Sequence, residues 1–117
     1  LNINNNFREI KVNTISISEY CNKNKIKKIN ILKLDTEGFD LECLVGSREL
    51  IDHNLIDVIQ LEIICKSLDD KKLQQNKINE ILSNYYLFKE KKHPPLFFLG
   101  SKIKVFDLLY INKQIKI

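Results

Sequence analysis

The sequence predicts an α/β domain built on an open, mostly parallel sheet that finishes in an antiparallel edge. Two apolar runs rich in β-branched residues, Ile29 to Asp35 and Val58 to Ile64, read as buried strands. Stretches of helical period alternate with them, which implies parallel strands joined by helices. Two further strand-like runs near the carboxyl end follow one another with no helix between, which implies antiparallel pairing there.

Taken in order, Ile10, Val12, Ile15 and Ile17 alternate well enough for a first strand, and Ser18 before Glu19 opens a short helix through Asn22. Lys23 to Lys28 is a polar loop. The Ile29–Asp35 strand is closed by Thr36-Glu37-Gly38, and Leu41, Leu44, Val45 and Ile51 then recur at helical spacing. Asp40 and Glu42 fall in the first turn of that helix, where the dipole favours negative charge, and Gly46 either interrupts it or permits a close approach. After the Val58–Ile64 strand, Asp69 to Tyr85 predicts an amphipathic helix with Ile78, Ile81, Leu82 and Tyr85 on one face. Tyr86 to Lys91 is the next strand, His93 to Ser101 a connector, and Val105 to Ile111 the last strand.

A chain of 117 residues holds one domain or part of one. It starts at Leu1 and contains no Met, which reads as a fragment, residues 1–117 being the carboxyl-terminal part of a larger domain. Hydrophobic residues at 44% and charged residues at 29% are globular values, with no apolar run suited to a membrane span or signal peptide. The net charge of +4, from 19 basic and 15 acidic residues, is spread among scattered lysines. Lys23, Lys25, Lys27 and Lys28 are the densest group, and no aromatic-rich motif accompanies them, so no nucleic-acid partner is expected. Cys21, Cys43 and Cys65 have neither zinc nor disulfide spacing and read as buried free thiols in a reducing, cytoplasmic setting.

Ligands of open parallel sheets sit beyond the carboxyl ends of the strands. Asp35 and Glu62 finish the two central strands and, on neighbouring strands, would face one crevice, with Glu37 two residues beyond Asp35. Such carboxylates either hold a hard cation or divide acid and base roles, unless they only bond to backbone and cap the loops that follow. His93 is a base candidate by residue type, although a histidine before two prolines is more often a loop residue. Gly38, Gly46 and Gly100 are too widely spaced to assemble a G-x-G-x-x-G loop, a P-loop or a G-x-S-x-G elbow, so no cofactor-binding residue is assigned.

Leu32-Lys33-Leu34-Asp35-Thr36-Glu37-Gly38, followed by Leu41, Leu44, Gly46 and Ser47, resembles the signature of FkbM-type methyltransferases. Weaker similarity extends from about Val12 to Ile111. The resemblance implies a Rossmann-like sheet, of which this chain is the carboxyl-terminal half, with the main loop for S-adenosylmethionine lying upstream. It implies methyl transfer to a hydroxyl of a sugar, glycolipid or polyketide-like acceptor, with Asp35 or Glu37 as base. From related sugar O-methyltransferases it also implies a divalent metal, Mg2+ for example, on Asp35 and Glu62. The competing expectation is a non-catalytic half-domain, an interaction module or a degenerate gene product. Nucleic-acid methylation lacks its aromatic-flanked motif here.

Overall fold

The computed structural model describes residues 6–116, which form α1 (Ile17–Lys23), β1 (Ile29–Lys33), α2 (Asp40–Val45), α3 (Arg48–Asp52), β2 (Ile56–Cys65), α4 (Leu68–Ile81), β3 (Tyr85–Lys92), β4 (Leu96–Phe98) and β5 (Ser101–Asn112). The sheet order is β1-β2-β5-β3, with β4 pairing β5. β1 and β2 are parallel, whereas β5 is antiparallel to β2, β3 and β4.

The expected mostly parallel sheet is therefore corrected: among the described residues one pair is parallel and three are antiparallel. The cause lies in the two last long strands. β3 carries Lys89, Glu90, Lys91 and Lys92, residues that suit a solvated edge, while β5 has Val105, Phe106, Leu108, Tyr110 and Ile111 buried. The apolar strand thus takes the interior place between β2 and β3 instead of the edge. Because β2 and β3 both oppose β5, β1, β2 and β3 all run in the same direction.

The crossovers from β1 to β2 and from β2 to β3 advance in the same direction across the sheet, and right-handed connections then place their helices on one face. Side-chain contacts agree. The Tyr110 hydroxyl donates to Asn79 of α4 at 2.6 Å, and Lys71 of the same helix stands 4.7 Å from the Phe106 ring centroid. Ile59, Leu61, Ile63 and Leu108 are fully buried on this side. On the other face, where Gln60, Glu62, Asp107, Leu109, Lys89 and Lys91 alternate with them, no helix packs among the described residues. The short dimension of 20 Å is that of two layers.

Several local expectations change. The strand expected from Ile10 to Ile17 is absent: residues 6–16 are irregular, and Ile10 and Val12 are 78% and 75% exposed. Alternation without a neighbouring strand leaves the backbone groups unpaired and does not make a strand stable. The first helix is capped by Ser16, which accepts the Glu19 amide at 3.1 Å, and not by Ser18.

The helix after Gly38 is split into α2 and α3 around Gly46 and Ser47. Gly46 also permits a close approach, since its carbonyl accepts the Ser18 amide at 3.0 Å and an added Cβ would stand 3.3 Å from the Ser16 Cβ. The long helix stops at Ile81, short of Tyr85, which enters the sheet and donates its hydroxyl to the Ile56 carbonyl. The connector from His93 to Ser101 holds β4, joined to β5 by Leu99 and Gly100, both at positive φ.

Candidate active site

The turn after β1 is built around a carboxylate. Asp40, only 3% exposed, accepts the Thr36 amide at 3.0 Å and the Thr36 hydroxyl through Oδ1, and the Glu62 amide at 2.8 Å through Oδ2. Thr36 Oγ1 in turn accepts the Phe39 amide at 3.0 Å. Asp40 therefore fastens the Asp35–Phe39 turn to β2 at Glu62. The sequence reading gave Asp40 only a place in the first helical turn, because a contact spanning 22 residues has no local signal.

Within this turn Glu37 has φ 55° and Gly38 φ 110°, while a Cβ at Gly38 would meet nothing within 4 Å. Glycine is required at 38 by backbone geometry and not by crowding. Glu37 holds the left-handed conformation with a side chain, a strained state typical of positions fixed for another reason. Asp35 and Glu37 are exposed at the carboxyl end of β1.

The Leu34 amide donates to the Gln60 carbonyl at 2.8 Å, which continues the parallel ladder and brings Asp35 beside the Glu62 segment. Burial, reinforced by the charges of Asp107, Asp35 and Asp40, pushes the Glu62 carboxyl above the usual carboxylate range. Asp107 is the direct register partner of Glu62 across the β2–β5 pair. On its other side, Asp107 Oδ2 accepts from His93 Nε2 at 2.7 Å. His93 follows the end of β3, and its amide donates to the Val105 carbonyl at 2.9 Å.

Glu62, His93 and Asp107 thus converge, with one ligand-type atom from each inside 4.8 Å of the others, all half-buried. Asp35 acts on Glu62 through its charge but is not one of these three. Small pockets flank the group. One of about 240 Å³ is lined by Gln60, Lys89, Lys91, Asp107 and Leu109. Another of about 240 Å³ is lined by Gly38, Asp40, Leu41, Glu42, Glu62, Ile64 and Gln74.

Asp107 was missed as a site residue, because Glu62 was marked by its expected place at a strand end and Asp107 has no such place; a lone carboxylate inside the apolar run Val105–Ile111 is the signal that could have found it. Two carboxylates and an imidazole give a donor set that suits a divalent ion, and the same groups can also accept a proton. The cysteines Cys21, Cys43 and Cys65 are free and lie outside the group. Burial raises the Cys65 thiol, and burial together with Asp40 and Glu42 raises that of Cys43, so both are poor nucleophiles near neutral pH. No helix is long and apolar enough to cross a membrane among the described residues.

The methyltransferase FkbM domain model matches residues 2–90. The match covers β1, the Asp35–Gly38 turn, Asp40 and Glu62, and ends before His93 and Asp107. No curated protein and no solved structure matches the chain. Spanning well over half the sequence and containing the turn on which the site is built, that match establishes that the chain belongs to the FkbM methyltransferase domain family.

Proposed function

We propose that this chain forms the acceptor side of an S-adenosylmethionine-dependent O-methyltransferase with a Rossmann-like sheet, acting on a hydroxyl of a sugar, glycolipid or polyketide-like acceptor. The observation that carries the reading is the family match over a turn that sets Asp35 and Glu37 just beyond the carboxyl end of β1, beside Glu62, which lies within the parallel neighbour β2 and not at its end. The common direction of β1, β2 and β3 supports such a sheet.

S-adenosylmethionine, when bound, supplies the electrophilic methyl group. The chain's own part is to hold the acceptor hydroxyl in line and take its proton. Asp35 and Glu37 are the carboxylates proposed for the proton. Both are exposed beyond the carboxyl end of β1, and the Asp40 brace holds their turn in place. The chain alone is proposed to be inactive, since Gly38, Gly46 and Gly100 form no cofactor loop.

The test is methyl transfer from labelled S-adenosylmethionine to a panel of hydroxyl acceptors by a protein carrying this chain. Asp35→Asn is expected to lower kcat by roughly 100-fold or more with far-UV circular dichroism unchanged, and Glu37→Gln separates the second carboxylate from the first. Full activity in both variants would reject the assignment.

A second reading has its own support: β1 is an edge strand whose Ile31 is 68% exposed, a surface suited to pairing with another chain. Light scattering decides it, because a stable complex through β1 would be broken by Ile31→Lys and a monomer at all concentrations would exclude self-pairing.

A further inference from the structure

Glu62 and Asp107 stand directly opposite one another across an antiparallel pair. Like charges in that position repel, and the arrangement is favourable only when a cation or a proton is shared between them. His93 supplies part of the compensation through its 2.7 Å contact with Asp107, even though Lys91 is the register neighbour of Asp107 on β3. The three side chains come from β2, β5 and the residue after β3, so well-ordered backbone fixes each of them. One donor atom from each lies within 4.8 Å of the other two, on the sheet face that carries no helix among the described residues.

We propose that Glu62, His93 and Asp107 are the protein ligands of a divalent first-row transition ion, with solvent-facing positions left open for an acceptor oxygen. This goes beyond the Mg2+ on Asp35 and Glu62 that the family resemblance implies, and two of the three ligands lie outside the stretch that matches the family. A nitrogen donor beside two carboxylates favours an ion of the manganese-to-zinc series over Mg2+, which takes oxygen ligands and keeps most of its water. Binding through Nε2 would replace the His93–Asp107 hydrogen bond, with the ring proton passing to Nδ1 through solvent, and the ion would neutralise both opposed carboxylates without a new desolvated charge.

The inference shares Glu62 with the methyltransferase reading but is tested by occupancy alone, so failure of one leaves the other standing. Mn2+ is the probe, because it has little affinity for the free thiols, and binding is followed by its electron paramagnetic resonance signal on the chain after chelator treatment. One ion per chain is expected. His93→Ala and Asp107→Asn should each weaken binding by roughly 100-fold, at or beyond the loss that outer-shell partners cause at metal sites. Circular dichroism verifies folding, and His93→Ala, after the last residue of β3, carries the test if Asp107→Asn misfolds. Undiminished Mn2+ binding in His93→Ala would overturn the proposal. So would loss in Asp35→Asn with retention in His93→Ala, tighter binding of Mg2+ than of Mn2+, or no Mn2+ bound at millimolar concentration.

Discussion

Asp40 satisfies donors from two separate segments, the Thr36 turn and the Glu62 amide, from a position where water cannot replace it. Asp40→Ala leaves those donors without an acceptor, and a loss of about 3 kcal/mol is expected from urea unfolding, with Asp40→Asn recovering part of it. Glu62 presents the opposite case, a carboxyl whose protonated form the fold prefers, with its value raised from 4.5 by burial and then by Asp107, Asp35 and Asp40. A raised folded value means that the native state binds the proton more tightly than the unfolded chain. The contribution is therefore present below the unfolded value and is lost as pH rises through the folded one. In chelator-treated protein, the stability difference between Glu62→Gln and the parent should grow in favour of the variant from about pH 4 to about pH 8. A flat difference would show that Glu62 is not under that repulsion.

At the scale of elements, the sheet ladders set which side chains meet, and turns set where they stop. The β4–β5 hairpin closes on Leu99 and Gly100, with φ 50° and 77°, the two positive values of a tight hairpin turn. Leucine is unsuited to that conformation, and its side chain is 90% exposed, so it gains nothing from packing. Leu99→Asn, which restores the favoured Asn-Gly pair, should stabilise the hairpin by about 1 kcal/mol, read as slower amide exchange at Ile103 opposite Leu96. The long helix was legible from its period, but the caps were not: Ser67 accepts the Asp70 amide at 3.1 Å and opens α4, with Asp69 and Asp70 in its first turn, as Ser16 opens α1. The expected Ile10–Ile17 strand failed because alternation records which side of a segment is apolar, not whether a neighbouring strand exists to pair with it.

For the molecule as a whole, one apolar layer between the helices and the sheet supplies the stability. Leu61 is fully buried in it at the centre of β2, opposite Leu108. Leu61→Ala is expected to cost about 3 kcal/mol, a large part of the roughly 5 to 15 kcal/mol available to a domain. Tyrosine fluorescence and circular dichroism should lose their transitions together, since the chain has four tyrosines and no tryptophan and the core is continuous. Separate transitions would mean that β3 to β5 unfold independently of β1 and β2. Because the site lies on the opposite face, this substitution should leave Mn2+ affinity unchanged wherever the chain remains folded.

The sequence by itself determined the central elements, Asp35 just past the end of β1, and the family, because these rest on short-range pattern and on one contiguous motif from Leu32 to Gly38, whereas Glu62, expected to finish its strand, lies inside β2. Only the tertiary structure decided that β5 lies between β2 and β3, and that placement put Asp107 opposite Glu62 and His93 against Asp107. It alone made Asp40 a brace. The physical reason is the same in each case: strand order and register are set by which apolar faces can be buried together, a competition among segments far apart in the chain that no local spacing records.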